Sequence, residues 1–380
     1  MHARSGTSGR RASGARRCPA CWTSTWPRPG VYLIERPGDR LVDHLAAPEY
    51  RGLSFADRHQ AQDWLYAEAV CLLTCVRQSA GSGSLRRAVD LLWAAVDLAE
   101  SGTNSKAYEG VASALREAAR EAGDVRAEAR ALITLGYAHS VTGRFDLADE
   151  EAALAHKLIG AAPDPLAGCW ASNILGVIAL YQSRNDDGET HITRAIEGFR
   201  ACDDRAGEAA VLCNLSRIHL ATGRTDSAVS LARQGMEMYD AMGHALKGAN
   251  GRYALGLALT EHGELPEAAA RLQEALAVFR DSRQRLWEGM SLFRLAEVDL
   301  AAGRPAQAAA NAESALTVLR GIGGDWRRAG VLVTLGHGLS GIGQSGRAQV
   351  CWREALELFE ALGAPEADSV RALLTPLTLA

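Results

Sequence analysis

Large and small apolar residues recur along this chain with a period of 40, unbroken from about residue 127 to residue 364. The pairs Leu135-Gly136, Leu175-Gly176, Leu215-Ser216, Leu255-Gly256, Leu295-Ala296 and Leu335-Gly336 each set a large residue beside a small one. A small residue there lets two helices approach closely. Seven or eight positions later stand Gly143, Ser183, Gly223, Gly263, Gly303 and Gly343, where a turn between helices wants a residue that tolerates positive φ. Ala148, Gly188, Ala228, Ala268, Ala308 and Ala348 follow, and seven residues on come Ala155, Ala195, Gly235, Ala275, Ala315 and Ala355, all on one face of a second helix. Four further on, Ile159, Phe199, Tyr239, Phe279, Leu319 and Phe359 end that helix with a large anchor. Gly123, Gly243, Gly323 and Gly363 recur at multiples of 40 as residues that close a helix. The period predicts helix, turn, helix, turn, and the missing strand alternation excludes a propeller blade of similar length.

A degenerate unit precedes these six. Leu92, Trp93, Ala95 and Val96 mark its first helix, Ser101 to Ser105 its turn, and Tyr108, Ala112 and Leu115 its second helix. The expected array spans 85–364, with units near 85–124, 125–164, 165–204, 205–244, 245–284, 285–324 and 325–364. Before it, 41–84 reads as a lead-in and amino-terminal cap. There Asp63-Trp64-Leu65-Tyr66-Ala67-Glu68, with Leu72, Leu73 and Val76, forms one amphipathic helix. Residues 365–380 read as a capping helix and tail, broken by Pro376. Residues 1–40 form a basic, aperiodic segment expected to be disordered.

The large-small pair, the turn glycine, the two spaced small residues and the late aromatic resemble the tetratricopeptide repeat in a longer, 40-residue version. The resemblance implies an all-α fold, a right-handed α-solenoid of about seven helical hairpins. The Trp64-Leu65-x-Ala67-Glu68 helix ahead of long repeats is also similar to the carboxy-terminal region of AfsR-like Streptomyces antibiotic regulatory proteins. Those regulators place a DNA-binding winged helix and a signalling ATPase before the repeats. Here no G-x-x-x-x-G-K-[ST] loop appears, and the stretch ahead of residue 60 is too short for either domain. The expectation is a sensor or partner-binding third standing alone, with neither DNA binding nor ATP hydrolysis carried over to it.

Composition fits helix, since aromatics are 6% and Ala, Leu, Glu and Arg dominate. Net charge is -4, yet residues 1–30 hold six Arg and no acid, so 31–380 carry 45 Asp and Glu against 35 Lys and Arg. An acidic body argues against direct nucleic-acid binding by the array. No apolar run spans a bilayer and no signal peptide is apparent, so the expectation is cytoplasmic, with no membrane contact. The eight scattered cysteines suit reduced thiols; Cys18-Pro-Ala-Cys21 has metal-ligand spacing but no second pair at finger distance.

Catalytic signals fail one by one. Gly341-Ile-Gly343-Gln-Ser-Gly346 matches G-x-G-x-x-G literally, but it follows helical spacing and Gly343 falls on the repeat's turn. His139, His219 and His337 lie in different hairpins, without the i, i+4 spacing of a zinc helix. Asp186-Asp187 and Asp203-Asp204 sit in turns, where short acids cap helices. The expectation is no enzyme, no catalytic residue, no metal and no cofactor. An enzyme remains the third and weakest reading.

What remains is the inner surface that the tetratricopeptide family lines with first-helix residues. The resemblance assigns to it Arg130, Tyr137, Trp170, Asn173, Arg217, Asn250, Tyr253, Phe293, Glu297 and His337, beside Ile133, Val177, Cys213, Leu257 and Val333. Such residues either pack against the next helix or line a groove for a helix or extended peptide, with Trp170, Tyr253 and Phe293 as anchors. The Lys/Asn/Asn/Lys/Arg set that clamps chaperone tails in some relatives is not reproduced. The expected function is a non-catalytic module of transcriptional control that binds a protein or peptide, including a separate DNA-binding or ATPase regulator. The alternative is a direct sensor of a small signalling peptide, similar to peptide-pheromone receptors built on these repeats.

Overall fold

A computed structural model describes residues 55–80, 84–322 and 324–374. The basic segment, Cys18, Cys21, Gly323 and Pro376 lie outside the described residues. Among those described, every element is a helix, and the 18 helices form a repeated arrangement.

Two short helices lead in, α1 (Arg58–Ala67) and α2 (Ala69–Ser79). The periodicity predicts one continuous helix here, and the structure bends it at Glu68 instead. The bend lets α1 turn towards distant residues 281–284 while α2 packs on its sequence neighbours. Then come α3 (Leu85–Ala94), the single turn α4 (Asp97–Glu100) and α5 (Ser105–Ala122). The break between α3 and α4 has a local cause. The Tyr108 hydroxyl donates to the Leu92 carbonyl at 3.1 Å, and successive i→i+3 bonds from Ala95 and Val96 tighten the chain there.

Six full hairpins follow: α6 (Val125–Val141) with α7 (Phe145–Ala161), α8 (Pro165–Tyr181) with α9 (Asn185–Ala201), and α10 (Arg205–Ala221) with α11 (Thr225–Ala241). They continue as α12 (Ala245–His262) with α13 (Leu265–Asp281), α14 (Arg285–Ala301) with α15 (Pro305–Val318), and α16 (Gly324–Gly341) with α17 (Ser345–Ala361). The helix α18 (Glu366–Leu374) covers the last hairpin with Ala367 and Val370 buried.

The repeat positions do what their residue types allow. All six intra-hairpin turn residues have positive φ, from 60° at Ser183 to 90° at Gly263. At Gly176 an added Cβ would lie 2.5 Å from the Ile192 side chain and 3.1 Å from the Gly188 carbonyl, so the paired small residues set the distance between the helices. The late anchors Phe199, Tyr239, Phe279 and Phe359 are buried, and Phe199 leans on Gly207 of the next hairpin. Asp124, Asp164 and Asp204 recur at the period and cap α6, α8 and α10, each accepting from the amide three residues on. Each first helix also packs on the first helix of the following hairpin, so the apolar stripe continues from unit to unit.

The solenoid is wound tightly enough to meet itself. Arg327 of α16 donates to the Val141 carbonyl at 2.9 Å and the Ser140 carbonyl at 3.2 Å, across 186 residues of chain. Trp326 packs edge-on against Tyr181 and Phe145, which stack on each other at 4.5 Å. At the lead-in, Arg283 pairs with Asp63, and Gln284 donates to the Tyr66 hydroxyl at 3.1 Å. The first hairpins therefore touch the sixth and seventh along a seam.

Candidate functional site

The inner face holds a half-open cavity of about 160 Å³. Its wall draws on α4, α6, α8, α10, α11, α12, α14 and α16, so no single hairpin makes it. Of the residues assigned to the inner surface, Tyr137, Trp170, Asn173, Arg217, Asn250 and Tyr253 line this cavity, with Val177 and Cys213.

The other four assigned residues lie elsewhere. Arg130 is an internal clamp, its guanidinium 2.5 Å from Asp90 and 2.7 Å from Asp164. Phe293 is buried against Gly330, with the Arg294 guanidinium 4.5 Å over its ring. Glu297 pairs with Arg294 at 2.7 Å, and His337 sits edge-on to Trp352, where burial lowers its pKa. The cause of the displacement is pitch. Along the chain the lining residues slide from the end of α6 (Tyr137, Ser140, Val141) to the start of α14 and α16 (Leu286, Trp287, Arg327). Residues deep in the late first helices have passed the cavity floor.

Several lining residues were not singled out by register, among them Tyr181, Lys247, Trp287 and Arg327. Lys247, Trp287 and Arg327 share one slot at spacing 40, held earlier by Ala127, Ala167 and Gly207. The change from small to large side chains in that slot is the signal that finds these three.

The electrostatics of the cavity oppose those of the body. Arg217, Lys247 and Arg327 face it against the single carboxylate of Glu100, which accepts the Tyr137 hydroxyl. Arg217 donates to the Tyr181 hydroxyl at 2.8 Å, and its guanidinium and that of Arg327 lie 5.2 and 5.6 Å from the Tyr181 ring centre. Burial alone would raise the Tyr181 pKa, but the two guanidiniums outweigh it and bring the phenol down to about 7. Burial pushes the Cys213 thiol up to about 12, so it contributes a neutral wall. The indole nitrogens of Trp170 and Trp287 and the side-chain oxygen of Asn250 are buried without a hydrogen-bond partner. Asn173 accepts from Asn214 at 2.8 Å, so one amide pair is satisfied beside three orphaned groups.

A spectrophotometric titration is expected to show one of the eight tyrosines ionising near pH 7, a step that Tyr181→Phe removes. The folded pKa lies below the unfolded value of about 10. Tyr181 therefore adds stability progressively as pH climbs from about 7 to about 10, and adds none below that window. Absorbance with no step below pH 9 would contradict the geometry.

The remaining sequence candidates have structural partners. His139 sits 2.6 Å from Glu151, and His219 sits 2.8 Å from Ser227. Asp187 pairs with Arg184, Asp204 caps α10, and Gly343 occupies a turn after a helix rather than a strand. Among the described residues, no three His, Cys, Asp or Glu side chains converge as metal ligands, and no helix is long and apolar enough to cross a membrane.

Residues 166–241 match the family model for the tetratricopeptide repeat. Over 347 residues, 91% of the chain, the sequence is 54% identical to the regulatory protein AfsR of Streptomyces griseus, of which it covers 34%. The chain spans about a third of the length of the curated relatives it matches. Among solved structures, a signal transduction ATPase with numerous domains and a tetratricopeptide repeat sensor, from Pyrococcus horikoshii, aligns with a TM-score of 0.55 at 14% identity. That alignment covers 84% of this chain and 52% of the other. A Rap protein complexed with competence and sporulation factor aligns with a TM-score of 0.53 at 11% identity, over 81% of this chain and 97% of the other. At such identities these two structures share the fold alone.

Proposed function

We propose, from the premise that this chain is a tetratricopeptide-repeat protein similar over most of its length to part of AfsR, that it is a non-catalytic regulatory module that binds a protein or peptide through its inner face. The observation that carries the reading is the convergence of aromatic and amide side chains from successive hairpins on one cavity. Trp170 and Tyr253 are the anchors, set by Phe199 at 5.1 Å and by Trp287 at 5.5 Å.

A cavity of about 160 Å³ does not admit a helix. One side chain or one chain end of a partner enters it, or the seam parts to expose more of the inner face. The partner consistent with the similarity to AfsR is a regulator carrying DNA-binding or ATPase parts, and the module then acts within transcriptional control.

The test is affinity capture by the full chain from the parent cytosol, with bound proteins identified by mass spectrometry. A specific partner is expected on the wild type and lost from the Trp170→Ala, Tyr253→Ala double variant, with helical circular dichroism retained. Capture of the same partner by the folded double variant would defeat the reading.

A further inference from the structure

We infer that the cavity is a site for a small carboxylate of about nine or ten non-hydrogen atoms in all, with a flat apolar body, its acid end on the Arg217 guanidinium in the positive field that Arg327 shares and its body against the aromatic walls. The inference rests on the cavity being where the module binds, and it names the chemistry of the bound group.

Size sets the first limit. An apolar cavity of about 150 Å³ takes a benzene-sized molecule, and this one is of that order. Charge sets the second. The body is acidic, whereas three cationic side chains line the cavity against one carboxylate, and that carboxylate accepts the Tyr137 hydroxyl. Arg217 spends a donor on a phenol, not on a carboxylate, and a guanidinium fork matches a carboxylate with two parallel bonds. The lowered Tyr181 pKa reports the same positive field.

The aromatic lining sets the third limit. Trp170, Trp287 and Tyr253 all line the cavity, and aromatic surface favours a planar body over a branched one. Phosphate would answer the cations but leave the aromatic walls uncovered.

Two sources supply such a group: a free small acid, and the last residue of a partner chain with its terminal carboxylate. Calorimetry on the full chain separates them. One arm uses benzoate and phenylacetate against benzamide and phenylacetamide. The other uses Gly-Gly-Phe against its carboxy-terminal amide. At least one acid is expected to bind tenfold or more tighter than its amide, and Arg217→Gln is expected to lose that tenfold preference while keeping its thermal midpoint. Preference confined to the first arm assigns a free acid; preference confined to the peptide arm assigns a chain end.

Acids and amides binding alike, no binding in either arm, or an unchanged preference in Arg217→Gln would overturn the inference. Partner capture scores the module separately. Capture that depends on Trp170 and Tyr253 without any acid preference sinks the carboxylate alone, and acid preference without such capture sinks the protein-binding reading alone.

Discussion

Arg130→Met is expected to destabilise the amino-terminal third of the array by about 3–5 kcal/mol, the range for removing one partner of a buried ion pair. Arg130 joins Asp90 of α3 to Asp164 at the start of α8, and the three side chains are only 10%, 7% and 4% exposed. Burial opposes the charge on both Arg130 and Asp164, yet mutual attraction wins, raising the Arg130 pKa and lowering that of Asp164. Methionine fills much of the same space but removes the guanidinium that two buried carboxylates share, while Arg126 stays 3.1 Å from Asp164.

Because a solenoid's stability is a sum of unit and interface terms, the loss concentrates at the interfaces among α3, α6 and α8. Hydrogen exchange is expected to rise across 85–181 and to stay near wild type beyond α12. The pH dependence gives a second check. A depressed carboxyl pKa stabilises the wild type above the unfolded value of about 4, and that contribution fades as pH falls through the folded value. The gap between variant and wild type therefore holds from pH 7 down to about 4 and narrows as pH falls further, towards the folded value. Adding Asp90→Leu and Asp164→Asn removes the stranded charges while keeping a cap on α8, and is expected to recover most of the loss. Uniform exchange along the chain would mean that the clamp is not a local tie.

Arg130 also illustrates how far the period of 40 carries. The turn residues, the paired small residues and the buried anchors are local requirements, each met within one or two hairpins, and the residue types announce them. Even Ser183, the one turn position within a hairpin that lacks glycine, keeps positive φ because the fold around it repeats. The inner-face register likewise placed Trp170, Asn173, Arg217, Asn250 and Tyr253 on the cavity.

Pitch is different, since it accumulates small rotations over several units and no single residue encodes it. Phe293, Glu297 and His337 occupy the same slots as cavity residues but sit past its floor. Arg130 shares its slot with Trp170 and Asn250, yet it is drawn to two acids supplied by α3 and the α8 cap. Tyr181 and Arg327 come together only because the turn closes, and contacts across 186 residues leave no periodic trace.

Closure itself is the object of the second large effect. Gly324→Val is expected to part the seam while leaving each hairpin folded. Gly324 has φ of 75°, and an added Cβ would lie 2.4 Å from the Thr142 carbonyl oxygen, a main-chain atom fixed at the end of α6. Left-handed backbone costs an L-residue about 1–2 kcal/mol, more for a branched one, and the overlap adds to it. Against this, the seam there holds through Arg327 and its two carbonyls, at about 1.5–3 kcal/mol for each charge-assisted bond, and through Trp326 packed on Tyr181 and Phe145. Backbone overlap does not relax by rotamer change, so the contact yields before the hairpin does.

Three readouts are expected to move together. Small-angle scattering gives a larger radius of gyration, with helical circular dichroism unchanged. The Tyr181 pKa rises from about 7 towards its ordinary range, because Arg327 withdraws while Arg217 stays. Any acid preference of the cavity weakens for the same reason. Scattering and tyrosine titration identical to wild type would mean that the two ends of the turn do not meet in solution, and that the cavity is an open groove.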